Sequence, residues 1–134
     1  MKKKIIILGS TGSIGKSLVN ILKKDKKNIE VFLLSTNTNI NELIKQSKIF
    51  NVKNLIVTDY NKYLILKKKI RNKKIKIYDS FSLVHKILNR HKVYYTMNAI
   101  SGIDGLKPTL KIIKFSKKIA IANKESIICG WNLI

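Results

Sequence analysis

Two short stretches of this chain carry residue types that could handle a ligand. The first, Gly9-Ser10-Thr11-Gly12-Ser13-Ile14-Gly15, follows directly on the apolar run Ile5-Ile6-Ile7-Leu8. Where a strand runs through glycines into a helix, the backbone can turn tightly and the first helical amides point at an anion such as a pyrophosphate. The spacing is G-x-x-G-x-x-G, not the G-x-G-x-x-G of the standard dinucleotide fingerprint, and an unliganded tight turn stays open as the alternative for this motif alone. The second stretch, Ala120-Ile121-Ala122-Asn123-Lys124-Glu125-Ser126, reads as a buried strand ending in an amide, an ammonium, a carboxylate and a hydroxyl. In a doubly wound sheet, ligands sit at the carboxyl ends of the strands, where this cluster falls. A capped helix start with an acid in its first turn explains the same residues, and spacing alone does not separate the two.

A third segment bears on which nicotinamide cofactor such a site would take. An NAD site places Asp or Glu near the end of the second strand, to bond the ribose 2′-hydroxyl. Here that strand runs into Ser35-Thr36-Asn37-Thr38-Asn39, with no acid. A 2′-phosphate would meet no repulsion and could accept from hydroxyl and amide groups, so NADPH is favoured over NADH. Asn39 also fits as the N-cap of the next helix, and both roles can hold together.

The elements that must position these residues alternate along the whole chain. Strands are expected at Lys4–Leu8, Ile29–Leu34, Asn54–Thr58, Lys74–Tyr78, Lys92–Met97 and Lys118–Ala122. Helices are expected at Ser13–Lys24 (with Ile14, Leu18, Ile21 and Leu22 on its apolar face), after Asn39, at Tyr60–Arg71, from Asp79-Ser80 to Arg90, at Leu106–Phe115 and from Asn123. Such alternation defines an α/β, Rossmann-like doubly wound fold, a mostly parallel sheet with helices on both faces.

Composition narrows the function classes. The 134 residues suit one domain, and no apolar run approaches the roughly 18 residues of a membrane helix. Met1-Lys2-Lys3-Lys4 leads straight into the first strand, so a cytoplasmic protein without a leader is expected. Cys129 is the only cysteine, expected as a small packing residue, and no cysteine-based metal cluster is possible. The net charge of +21 comes from 26 lysines and only two arginines, Arg71 and Arg90. Phosphate-gripping surfaces favour arginine, and no zinc-finger spacing, helix-turn-helix signal or aromatic stacking strip is present. The lysine excess therefore reads as compositional drift, with salt-sensitive attraction to polyanions as a side effect and no specific nucleic-acid partner. His85 and His91 read as surface or packing histidines, and Asp59 and Asp104 sit in no ligand motif.

Taken together, Gly9–Gly15, the run Ala99-Ile-Ser-Gly-Ile-Asp-Gly-Leu-Lys-Pro-Thr-Leu110 and Ile121-Ala-Asn-Lys-Glu-Ser126 resemble one family closely: 1-deoxy-D-xylulose 5-phosphate reductoisomerase. The resemblance covers all 134 residues and makes them the NADPH-binding, Rossmann-like domain. It implies an enzyme of the methylerythritol phosphate route to isoprenoid precursors, which rearranges a sugar phosphate and reduces the resulting aldehyde with NADPH. It further implies a divalent metal, Mg²⁺ or Mn²⁺, and a homodimer. Carried over residue by residue, Thr11, Gly12, Ser13 and Ile14 would hold the cofactor phosphates and adjoining ribose. Asn39 would contact the adenosine-side phosphate, Asn123 and Glu125 the nicotinamide side, and Lys124 the substrate.

Two departures from the family pattern stand out. Family members often carry glycine and a basic residue just before the Asn39 equivalent; Asn37-Thr38 here should weaken the hold on the 2′-phosphate. The family's metal-binding carboxylates, its substrate-phosphate ligands and its lid lie after this segment, so no catalytic or metal residue is expected within residues 1–134. Part of a complete enzyme, one half of a split enzyme, an inactive shortened remnant and, in another class, a basic nucleic-acid-binding module remain the alternatives. A final helix cut short, with Ile127, Ile128, Trp131 and Leu133 uncovered, predicts self-association.

Overall fold

The computed structural model describes residues 1–134. β1 (Lys3–Leu8), β2 (Ile29–Thr36), β3 (Asn54–Val57), β4 (Lys76–Tyr78), β5 (Val93–Asn98) and β6 (Ser116–Ile121) form one sheet in the order β4-β3-β2-β1-β5-β6. Every neighbouring pair is parallel, so the expected sheet is wholly rather than mostly parallel. The apolar runs at Ile5-Ile6-Ile7 and Leu55-Ile56-Val57 fit strands buried on both faces, and each of these residues is buried.

The connections are α1 (Ser13–Leu22), α2 (Ile40–Phe50), α3 (Tyr60–Lys69), α4 (Val84–Leu88) and α5 (Leu106–Ile112), with α6 (Lys124–Gly130) after the last strand. Two apolar clusters lie on opposite sides of the sheet. One gathers Ile5, Ile7, Val31, Leu34, Leu55 and Val57 with Val19 of α1, Leu43 of α2 and Leu66 of α3. The other gathers Ile6, Leu8, Leu33 and Ile56 with Val84 and Leu88 of α4 and Ile112 of α5. Successive strands run outward from β1 to β4, and the chain then crosses back to place β5 on the other flank of β1. The carboxyl ends of β1 and β5 therefore border a crevice where the direction of winding reverses.

Several expectations shift. α1 buries Gly15 and Val19, with Leu18 and Leu22 half-buried; Ile14 and Ile21 stand exposed, because the turn before the helix rotates glycine rather than isoleucine onto the sheet. β2 continues two residues further than expected, through buried Ser35 and Thr36. β6 is an edge strand with only partial cover, not a buried one, and it begins and ends before the expected Lys118–Ala122. The Asp79–Arg90 helix contracts to a 3-10 turn at Phe81–Leu83 and the five residues of α4. Cys129 is exposed on α6 rather than packed, since that helix touches the body through Ser126 and Gly130.

Candidate functional site

The glycine turn assigns each glycine a separate task. Gly9 has φ +69°, and a Cβ there would stand 2.9 Å from the Ala99 carbonyl carbon and the Ile100 nitrogen. It thus allows β1 to turn while lying against the loop that follows β5. A Cβ at Gly15 would come within 2.5 Å of the Gly9 oxygen and 2.6 Å of Ser10, so Gly15 lets α1 dock on the turn itself. Gly12 is different: it is exposed, it caps α1, and a Cβ would meet only the Gly9 oxygen at 3.6 Å. Nothing in the protein demands glycine there, and open backbone at a helix N-terminus suits close approach of a ligand. The amides of Ser13, Ile14 and Gly15 have no backbone acceptor, as expected for a first turn.

The turn is tied down by the end of β2. Ser35 Oγ accepts from the Gly9 N–H at 2.9 Å, and the Ser35 carbonyl accepts from the Ser10 N–H at 2.9 Å. The Thr11 and Thr36 hydroxyls lie 2.6 Å apart. Ser35 and Thr36, treated above as possible phosphate donors, are thus already engaged with the turn. The extended β2 faces Gly9–Thr11, and polar residues ending an apolar strand were the available signal. Asn37 Oδ1 accepts from the Thr58 hydroxyl at 2.9 Å. Asn39 Oδ1 accepts from the Glu42 N–H at 3.2 Å as the N-cap of α2, leaving the Asn39 Nδ2 free to donate.

Across the crevice, a second polar network braces the loop after β5. Buried Asn98 donates from Nδ2 to the Gly105 carbonyl at 2.8 Å and to the Thr109 hydroxyl at 2.6 Å, and its Oδ1 accepts from the Ile100 N–H at 3.2 Å. Asn123 is also buried; its Nδ2 donates to the Ile100 carbonyl at 2.8 Å and its Oδ1 accepts from the Ser126 N–H at 3.0 Å. A side chain at Gly105 would collide with that Asn123 amide. Asn123 thus joins β6 and α6 to the β5 loop, while exposed Lys124 and half-buried Glu125 come next in the first turn of α6. Thr109 belongs to the run Ala99–Leu110 quoted above, but its bond to Asn98 is not legible there, although an asparagine closing an otherwise strand-like run is visible.

Electrostatic perturbation lies elsewhere. Burial lowers the His91 pKa, the Lys4 ammonium lowers it further and Glu30 opposes them; Lys4 Nζ lies 2.7 Å from His91 Nδ1. Burial raises the Tyr78 pKa. Both residues line a groove of about 540 Å³ with Phe32, Leu83 and Ile87, which shares no residue with the crevice. No three His, Cys, Asp or Glu side chains gather where they could hold a metal ion, so the donor set here does not fit one. No helix is long and apolar enough to cross a membrane.

A wholly parallel sheet, a glycine turn leading from its first strand and a crevice at the winding reversal place the chain in the Rossmann-like class of doubly wound α/β proteins. Residues 5–130 match the family model of 1-deoxy-D-xylulose 5-phosphate reductoisomerase, and the chain belongs to that family. It is 62% identical over 133 residues to the Pelagibacter ubique 1-deoxy-D-xylulose 5-phosphate reductoisomerase, covering 98% of this chain and 34% of that protein. The Wolbachia relative from Drosophila simulans is 39% identical over 133 residues, with 98% and 33% covered. The Zymomonas mobilis enzyme, solved in complex with NADPH, superposes with a TM-score of 0.88 at 29% identity, over 99% of this chain and 35% of that one. A further reductoisomerase structure, with NADPH, fosmidomycin and magnesium, gives a TM-score of 0.83 at 26% identity, over 94% and 31%. The chain spans about a third of the length of these relatives.

Proposed function

We propose that this chain is the NADPH-binding part of a 1-deoxy-D-xylulose 5-phosphate reductoisomerase. The whole enzyme would isomerise 1-deoxy-D-xylulose 5-phosphate and reduce it to 2-C-methyl-D-erythritol 4-phosphate, in the cytoplasm and as a homodimer. The observation that carries the reading is the division of labour among the glycines. Gly9 and Gly15 are demanded by the protein's own packing, whereas a Cβ at Gly12 would make only ordinary contact and the amides after it have no backbone acceptor.

On this reading Thr11, Gly12 and Ser13 cradle the pyrophosphate, and exposed Ile14 offers apolar cover to the adjoining ribose. Asn39 donates from Nδ2 to the 2′-phosphate while its Oδ1 keeps the cap. Asn123 would meet the nicotinamide side with the second proton of its Nδ2, the first being held by Ile100. Glu125 is an acceptor beside it. NADPH, when bound, would supply hydride, and Asn123 and Glu125 would hold its nicotinamide end. Lys124 would set its ammonium against the substrate oxyanion or phosphate. Mg²⁺ or Mn²⁺ would be held by residues outside 1–134, so no metal-dependent step is assigned here. The test is turnover: the 134-residue chain with 1-deoxy-D-xylulose 5-phosphate, NADPH and Mn²⁺ should consume no NADPH. Consumption by the chain alone would overturn this division of the chemistry.

A further inference from the structure

Gln46 lies on the face of α2 that carries Leu43 and Ser47, 1% exposed. A buried primary amide needs partners for two N–H groups and a carbonyl. Its Nε2 donates to the Ser10 carbonyl at 2.9 Å and lies 3.4 Å from Glu42 Oε1, but its Oε1 is buried without any partner. An apolar residue would avoid that orphaned acceptor, so packing alone does not account for glutamine here. The acceptor it serves is informative. The Ser10 carbonyl shares a planar trans peptide with the Thr11 N–H, and the two point in opposite directions. Holding the carbonyl toward α2 drives the Thr11 N–H away from α2, and that N–H donates to no backbone carbonyl. The same segment is fixed from β2 through the Ser10 N–H to the Ser35 carbonyl, and from α1 through the close approach of Gly15.

We propose that Gln46 is a positioning residue of the cofactor site, whose amide locks the Ser10–Thr11 peptide with the Thr11 N–H presented to the pyrophosphate. This rests on the NADPH reading above. Gln46 also reaches Glu42, whose N–H is capped by Asn39, so one face of α2 touches both ends of the proposed cofactor contact.

The test uses Gln46→Met, which keeps length but removes the donor, and Gln46→Glu. Affinities for NADPH and for adenosine 2′-monophosphate, which lacks a pyrophosphate, are measured by titration alongside thermal unfolding. Gln46→Met should bind NADPH about tenfold more weakly and adenosine 2′-monophosphate as wild type does. Gln46→Glu should be as weak at pH 8, where the carboxylate cannot donate, and should close on wild type toward pH 6, where the buried carboxyl regains a proton. A purely structural role predicts equal losses for both ligands and no rescue at low pH, and that result overturns the proposal. So does wild-type NADPH affinity in both variants. If the unsubstituted chain fails to bind NADPH, the cofactor reading falls and this inference with it, which the wild-type titration alone reveals.

Discussion

Gly9 and Ala99 meet backbone to backbone: a Cβ on Gly9 would stand 2.9 Å from the Ala99 carbonyl carbon. The contact joins the turn after β1 to the loop after β5, the two walls of the crevice. Gly9→Ala combines a left-handed φ with a collision against backbone, and should cost about 2–4 kcal/mol of stability in chemical denaturation. Gly12→Ala, with its nearest neighbour at 3.6 Å, should change stability by less than about 1 kcal/mol. Its loss should fall on NADPH affinity instead. Similar stability losses for both variants would remove the distinction between a packing glycine and a ligand-facing one.

Asn98 is buried and supports three partners, so Asn98→Ala leaves the Gly105 carbonyl and the Ile100 N–H without it. A loss of about 2–4 kcal/mol is expected in a urea melt. Asn98→Asp should be no better at neutral pH, since a carboxylate cannot donate to Gly105 or Thr109.

Asn39→Asp separates capping from cofactor choice. Aspartate caps as well as asparagine, so unfolding should be unchanged within about 0.5 kcal/mol. The new carboxylate repels a 2′-phosphate, and NADPH affinity should fall about tenfold or more while NADH affinity holds or improves. Parallel fluorescence titrations with the two cofactors check this.

His91 accepts from Lys4 through Nδ1, which requires a neutral imidazole. Burial, then Lys4, lower its pKa, with Glu30 opposing. A histidine held neutral in the fold takes up its proton more readily when unfolded. The stability it lends is therefore complete above the ordinary value of about 6.5 and is lost as pH falls below it. His91→Asn keeps an acceptor without the titration, so its melting temperature should fall less than that of wild type between pH 7.5 and 5.5. Parallel curves would contradict the neutral pairing.

Ile128, Trp131 and Leu133 are 75%, 70% and 65% exposed on and after α6. Apolar surface of this kind drives association, while a charge of +21 opposes it. Light scattering should show the apparent mass rising with salt as the repulsion is screened, and Trp131→Lys should suppress the rise.

The positions of the strands and the glycine turn could be read from residue types, because buried parallel strands are continuous apolar runs and a glycine-rich turn after the first of them leads into a helix. The cap at Asn39 and the opening of α6 at Asn123 were equally legible as local chemistry. What escaped was non-local. Ser35 looks like the start of a loop until β2 is seen to run beside Gly9. Gln46 is one more polar residue on a basic helix until α2 lies over Ser10. Ile14 and Ile21 fit a helical apolar stripe with Leu18 and Leu22, yet the close approach of Gly15 leaves those two isoleucines exposed while the leucines keep their contact with the core.

The most direct measurement is a titration of the 134-residue chain with NADPH at physiological salt, with NADH and inorganic pyrophosphate as controls. Saturable binding that prefers NADPH and is displaced by pyrophosphate is the predicted result. No binding, equal affinity for the two cofactors, or indifference to NADPH together with salt-sensitive binding of any polyanion would contradict the cofactor reading.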